Sequence, residues 1–331
     1  IRRHESLRTS FHMLDGIPVQ TVHPPDSITV TVEHYSPESS SLPTTYYLLL
    51  TAFTRAFDLS RAPLLRLGIM EQEDGEELLL VDMHHIISDG VSHANVMNEF
   101  GALLEGQSLE PLELRYRDYA CWEQGALEQG LLKTQNDWWL EQLSGTLPVL
   151  NLPLDYPRPP VQSFQGDSLG LVANEELTLR LTGMSREEGA SMFMLLAAVC
   201  NVLLSRLSGL EDIIMGTVVA GRRNADLAGV MGMFVNTLVL RNFPEGNMSF
   251  NAFLGDVKER SLQALENQDY PFDELVEQVP VERDAGRNPL FDVMFSYYDT
   301  TDEAGAGDDG PGAEGTPLDI GGGNVAKFDL T

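Results

Sequence analysis

The stretch LLLVDMHHIISDGVSH, residues 78–93, sets the pattern for the first half of this sequence. Its apolar run ends at two adjacent histidines, His84 and His85, and an Asp–Gly pair follows. An earlier apolar run, LLRLGIM at 64–70, is separated from it by the turn-rich EQEDGEE. Two short apolar runs joined in this way predict a β-hairpin whose second strand, 78–85, ends at the histidine pair.

The spacing of apolar residues changes after Gly90. From there to Leu104 they recur three or four positions apart, which predicts a helix that stops near Gly106. A second long stretch, at 116–145, is aromatic and has a helical pattern. A strand that ends at polar residues and leads into a helix is therefore the expected setting of the histidine pair.

A proline-rich segment, LPLDYPRPP at 152–160, marks a shift in composition. Because 331 residues exceed the usual size of a single core, we expect an N-terminal domain at 1–150 and a C-terminal domain at 151–331. The second half predicts helices at 192–207 and 250–267 and strands at 212–221, 233–242 and 289–298. Alternating helices and strands in both halves predict an α/β or α+β class with open sheets.

The composition excludes several classes of protein. A net charge of −29 argues against nucleic acid or an anionic membrane as the main partner. Cys121 and Cys200 lack CxxC spacing, which predicts neither a disulfide framework nor a zinc site and fits a cytoplasmic protein. The apolar run 192–204 is too short for a membrane span and predicts a buried helix, while the acidic, glycine-rich 299–323 predicts a flexible loop.

Several interpretations of the histidine pair are open from the residues alone. Successive side chains of a strand point to opposite faces, so only one of His84 and His85 can enter a cleft. A histidine is suited to general base catalysis because its ordinary pKa is about 6.5. The spacing of His85, Asp89 and His93 fits a metal site on one helical face, but Gly90 and the preceding strand argue that no helix covers them. We therefore expect no metal.

Six stretches together resemble the motifs of one family. HHIISDG at 84–90 resembles the HHxxxDG signature of the chloramphenicol acetyltransferase-like acyltransferases. The other five narrow the resemblance to condensation domains of nonribosomal peptide synthetases: RHESLRTSF (3–11), YRDYACW (116–122), GMFVNTLVLR (232–241), NQDYPFDELV (267–276) and RDAGRNPLFDVMFSY (283–297). The last departs from the family, which commonly has serine near Gly286.

This resemblance implies two chloramphenicol acetyltransferase-like lobes that form a V-shaped pseudo-dimer with a central tunnel. The first family motif and the end of the second lobe are missing. The sequence also starts in a helix-like pattern without methionine and stops at KFDLT, so we expect a fragment of a longer chain. The fifth and sixth motifs favour the subtype that joins an L-configured donor to an L-configured acceptor.

The implied activity is peptide-bond formation, an acyl transfer from a donor thioester to the amine of an acceptor aminoacyl thioester. The implied partners are an upstream and a downstream peptidyl carrier protein, each with a phosphopantetheine arm, and a downstream adenylation domain. No cofactor bound by the domain itself is implied. Two alternatives stay open: a coenzyme A-dependent acyltransferase, and a non-catalytic condensation-like module that only docks carrier proteins.

The resemblance also assigns roles to individual residues. His85, the second histidine of the signature, is the catalytic candidate, and His84 and Gly90 are supporting residues. Asp89 is expected to form a buried salt bridge with Arg3 or Arg8. Four further residues either face the tunnel or only stabilise the fold: Asn236, Thr237, Arg241 and Asp269.

Overall fold

A computed structural model describes most of the chain. The described residues are 1–35, 52–71, 76–281, 283–298 and 325–331. The predicted glycine-rich loop at 299–323 and the hairpin tip at 72–75 lie outside them. The chain divides into two compact units, which are described separately below.

The first unit includes Ile1–Glu128 and Arg222–Phe234. It opens with a hairpin of β1 (Thr9–Leu14) and β2 (Ile17–Val22). Asp15 and Gly16, with φ of 53° and 85°, make its two-residue turn. An Asp–Gly pair suits this turn because both central residues take positive φ.

A mixed sheet carries the signature segment in the first unit. Strand β3 (Val32–Tyr35) pairs in parallel with β4 (Leu65–Glu71), which pairs antiparallel with β5 (Glu77–Met83). The predicted hairpin is confirmed, with Leu67 opposite Val81. Strand β5 ends two residues before the predicted His85, because the chain turns into one turn of 3-10 helix there.

Helix α1 (Gly90–Leu104) follows, as predicted from the apolar spacing. Asp89 caps its start by accepting a hydrogen bond from the Ser92 N–H, and Gly106 lies just beyond its end with φ of 77°. A carboxylate at the first position satisfies an N–H group that has no partner within the helix. The signature segment therefore leads directly into this helix and supplies its N-terminal cap.

The helical pattern predicted at 116–145 is confirmed, but it is divided between two helices. The segment forms α2 (Tyr116–Glu128) and α3 (Lys133–Gln142), separated at Gly130. Gly130 has φ of 68°, a left-handed conformation that ends a helix and that glycine adopts without a side-chain clash.

The division into units does not follow the predicted boundary at residue 150. Residues 129–150 belong to the second unit, where the Trp139 indole donates to the Asn267 carbonyl, 2.9 Å away. Residues 222–234 instead belong to the first unit. The assignment of two lobes to 1–150 and 151–331 stays a prediction.

The second unit alternates helices and strands. Its elements are α4 (Glu175–Glu187), α5 (Met192–Ser208), β6 (Ile213–Val219), β7 (Asn236–Asn242), α6 (Phe250–Glu266) and α7 (Phe272–Gln278). Strands β6 and β7 pair antiparallel, and the core includes Leu195, Ile213 and Val257. The predicted buried helix at 192–204 is confirmed. No described helix taken singly has the length and apolar content to cross a membrane, although the bent pair α4 and α5 together meets both criteria.

The predicted strand at 289–298 is wrong. Only isolated bridges form there, at Val293 and Met294. Gly216 of β6 donates its N–H to the Val293 carbonyl (2.9 Å) and accepts from the Phe295 N–H (2.8 Å). The Phe291 ring packs against Gly216, where a Cβ would lie 2.2 Å from the ring. The apolar run is thus held by packing with a single backbone bridge to β6.

Candidate active site

His85 is the exposed histidine of the signature segment. It starts the single 3-10 turn His85–Ile87, and its carbonyl accepts the Ser88 N–H at 3.2 Å. Within the part of the chain that the structure describes, its imidazole makes no hydrogen bond. The ring is therefore available to a substrate while its backbone is fixed.

His84 has the opposite character. Its ring Nδ1 accepts the Ile86 N–H at 3.1 Å, and its own N–H donates to the Leu64 carbonyl at 3.0 Å. The ring meets Phe57 edge-on, with ring centroids 6.1 Å apart. These contacts hold the 3-10 turn against the start of β4, so His84 orients the segment that carries His85.

Asp89 lies at the centre of a buried network. Arg222 donates to both of its carboxylate oxygens, at 2.6 and 2.9 Å, and the Phe234 N–H donates at 3.1 Å. The side chains of Asp89 and Arg222 are only 0% and 5% exposed. Burial alone would raise the pKa of Asp89, but the hydrogen bonds from Arg222, Ser92 and Phe234 outweigh it and lower that pKa.

The prediction that Arg3 or Arg8 pairs with Asp89 is wrong, although a buried ion pair does form. Arg3 binds Glu99, with Nε 2.8 Å from Oε1, and Arg8 lies 3.3 Å from Glu5. Both arginines therefore form ion pairs with carboxylates other than Asp89. These ion pairs stabilise the first unit without any contact with Asp89.

Ser92 is a buried residue that the sequence reasoning missed. Its hydroxyl lies 2.8 Å from Asp89 Oδ1 and accepts hydrogen bonds from the Gly232 N–H and from Arg222, both at 3.0 Å. It is 0% exposed. Ser92 thereby ties the start of α1 to the segment 222–234.

Some local signal for these partners exists in the sequence. Ser92 follows the Asp–Gly pair by two positions, where a first-turn hydroxyl of a helix reaches the cap. Arg222 and Arg223 form a basic pair directly after the predicted strand 212–221. Nothing in their spacing shows that Arg222 reaches residue 89, because that contact spans 133 positions.

The backbone conformation at Gly90 is one that residues other than glycine can adopt. Its φ lies outside the positive range, and an added Cβ would meet nothing within 4 Å. Its expected supporting role therefore does not depend on an unusual backbone angle or on a tight contact at this position.

The four candidate tunnel residues have local partners in the second unit. Asn236 donates to the carbonyls of Gln268 and Tyr270, at 2.9 and 2.7 Å, and its side-chain oxygen accepts the Thr237 N–H. Arg241 binds Asp212, and Asp269 binds Gln135, with distances of 2.7 and 3.0 Å. These contacts account for stabilising roles, and the tunnel roles stay predictions.

His85, Asp89 and His93 do not lie on one helical face, which the metal-site interpretation requires. His85 is on the 3-10 turn, the oxygens of Asp89 bind Arg222 and Ser92, and His93 lies on α1. Over the described ranges, no group of three or more histidine, cysteine or acidic side chains is arranged for a metal ion.

Comparison with known proteins identifies the family. A family model described as Condensation domain matches residues 1–330. The chain belongs to the condensation-domain family. Bacitracin synthase 3 of Bacillus licheniformis is 44% identical over 331 residues, which is 100% of this chain but only 5% of that protein.

Solved structures agree with this condensation-domain assignment. The condensation domain from Monacolin K polyketide synthase MokA has a TM-score of 0.79 and 25% identity, covering 89% of this chain and 70% of that one. The X-domain from teicoplanin biosynthesis has a TM-score of 0.78 and 26% identity, covering 88% and 66%. The predicted mixture of helices and sheets is confirmed, and the V shape with its tunnel stays a prediction.

Proposed function

We propose that this condensation domain forms the amide bond between two thioester-bound substrates in nonribosomal peptide synthesis. The donor is an acyl or peptidyl thioester and the acceptor an aminoacyl thioester. Each is carried on the phosphopantetheine arm of a carrier protein, upstream and downstream of the domain. The observation that carries the proposal is the exposed His85 ring, on a turn fixed by His84, in a chain of this family.

The reaction is an acyl transfer without a covalent enzyme intermediate. The acceptor amine attacks the donor carbonyl carbon, a C–N bond forms, and the C–S bond breaks to release the donor arm as a thiol. An α-amino group has a pKa of about 7.7 to 8.0, so forming neutral amine at pH 7 costs only about 1 kcal/mol. Holding both reactants in attack geometry contributes about 7 to 11 kcal/mol, so positioning dominates.

Within this mechanism, His85 orients the attacking amine and takes its proton as the tetrahedral intermediate forms. The same proton then passes to the departing sulfur, so the imidazole returns to its starting state. The role needs a ring that is accessible but held at its backbone, which is how His85 is placed. Asp89 is left out of the chemistry because both of its oxygens are bound to Arg222.

The neighbours in the polypeptide are part of the proposal. By resemblance to its relatives, the domain works with an upstream and a downstream peptidyl carrier protein and with a downstream adenylation domain, in the cytoplasm. The motif pattern favours an L-configured donor and an L-configured acceptor. Sequencing the flanking regions and determining the stereochemistry of the released peptide test these assignments.

The test is amide formation with both carriers loaded. The full natural polypeptide that contains this sequence is compared with its His85→Ala and His85→Gln variants, and the product is measured by mass. We expect both variants to lose about 100-fold or more in rate with an unchanged melting temperature. His34→Ala is the matched control, since His34 is an exposed histidine on β3.

The alternatives give different outcomes. Transfer from an acyl-coenzyme A donor, but not from a loaded carrier, identifies a coenzyme A-dependent acyltransferase. Carrier binding with no amide product identifies a docking module. A His85→Gln variant that keeps most of its rate contradicts the proposed role of His85.

A further inference from the structure

His93 makes a contact that no role above uses. It lies in the first turn of α1, where its N–H donates to the Asp89 carbonyl at 3.0 Å. Its ring reaches back over the signature loop, and Nε2 lies 3.1 Å from the Ser88 hydroxyl. Since Asp89 is fixed by Arg222, the backbone of His93 belongs to the rigid part of the unit.

Ser88 connects this ring to the turn that carries His85. Ser88 is 0% exposed and closes the 3-10 turn by donating its N–H to the His85 carbonyl. Its hydroxyl faces His93. A continuous path therefore runs from the His93 ring, through Ser88, to the backbone of His85.

The direction of the His93 pKa shift is consistent with the His85 imidazole lying nearby. Partial burial lowers the pKa of His93, the neighbouring His85 lowers it further, and Asp89 acts in the opposite direction. A charge effect of this kind falls off with distance. The His93 ring therefore lies close enough to His85 to be affected by it.

We propose that His93 is a positioning residue of the condensation reaction, which fixes the His85 turn through the Ser88 hydroxyl. The inference rests on the proposed catalytic role of His85. The turn has two anchors. His84 holds its start through Ile86, and His93 holds its end through Ser88. Without the second anchor, His85 samples positions away from the attacking amine.

The test combines single variants with a double variant in the full natural polypeptide. His93→Ala and Ser88→Ala are each expected to lower kcat about tenfold, because small displacements of a catalytic group reduce rate strongly. KM for the two loaded carriers stays unchanged, since the contact does not touch substrate. The Ser88→Ala/His93→Ala double variant loses no more than either single variant, because both remove the same path.

His93→Gln provides the conservative replacement. The glutamine side-chain nitrogen reaches about as far as the histidine Nε2 and can bond the Ser88 hydroxyl, so we expect it to recover most of kcat. Melting temperatures of all variants are measured alongside, and a purely structural role would lower the melting temperature together with the apparent kcat.

Several results overturn the inference. They are a wild-type kcat in His93→Ala, losses that add in the double variant, or no recovery in His93→Gln. Failure of the proposed function looks different, because then wild type makes no amide or His85→Ala keeps its rate. The wild type and His85→Ala are therefore run in the same series.

Discussion

The two ends of the HHIISDG segment differ in how they are held. At one end, His85 is exposed, and its ring makes no hydrogen bond in the described part of the chain. At the other, Asp89 is fully buried and bound by Arg222, Ser92 and the Phe234 N–H. Four positions of sequence thus separate an exposed imidazole from a buried carboxylate whose oxygens are all bonded.

The two ends therefore differ in whether the side chain is accessible and in whether it can move a proton. A buried carboxylate needs partners for its charge, and once they are supplied it is neither accessible nor free to move a proton. An exposed imidazole on a fixed backbone has both properties. We therefore propose that the Asp89 end, which is the more strongly bonded, stabilises the fold and takes no part in the chemistry.

The largest expected effect is on folding, from the Asp89 end. Asp89→Ala leaves Arg222 buried without its partner, and the free energy of unfolding should fall by about 3 to 5 kcal/mol. Arg222→Ala should cause a similar loss, and the double variant should lose less than the sum. Urea unfolding monitored by circular dichroism measures all three.

An exposed pair serves as the control. Arg2 and Asp26 are 83% and 81% exposed and lie 3.0 Å apart, so Asp26→Ala should change stability little. If Asp89→Ala unfolds at the same urea concentration as wild type and loses only rate, then Asp89 acts in the chemistry and the contrast between the two ends fails.

A smaller effect on stability is expected at only one of two glycines in the first unit. A Cβ on Gly232 would lie 2.0 Å from the Tyr116 ring, whose hydroxyl donates to the Met233 carbonyl. Gly232→Ala should therefore lower the free energy of unfolding by about 1 to 3 kcal/mol. Gly90→Ala should leave it unchanged, since a Cβ there meets nothing within 4 Å. Equal melting temperatures for the two variants would show that the ring at Gly232 moves aside.

The smallest effect is the dependence of stability on pH. The pKa of Asp89 is lowered in the folded protein, so its ion pair contributes stability above the ordinary carboxyl pKa of about 4. That contribution is lost as pH falls through the lowered, folded pKa. Asp89→Asn should lack this component of the acid unfolding curve. Identical curves for Asp89→Asn and wild type would mean that other carboxylates dominate.

Local patterns predicted the setting of the site well. The strand that leads to His84, the helix from Gly90 to Leu104 and the stop near Gly106 each follow from residues adjacent in sequence. Periodicity and capping are local effects, so a sequence displays them directly. The family motifs added His85, whose catalytic role stays a prediction.

Contacts between distant segments could not be predicted in the same way. Arg3 and Arg8 were plausible partners of Asp89 by type, but side-chain charge does not specify which arginine the fold brings close. The expected strand at 289–298 had the right composition, yet packing of Phe291 against Gly216 leaves only isolated bridges. The helix break at Gly130 was visible as a glycine, but its left-handed φ was not.

The ion pair between Asp89 and Arg222 also constrains the order of events during translation. The cap of α1 is completed by a residue made 133 positions later. A ribosome that has released the segment up to Glu128 has therefore not supplied the first unit with the residues that close it. The emerging chain must keep Asp89 solvated until residues 222–234 arrive, so the order of synthesis does not match the order in which this unit can mature.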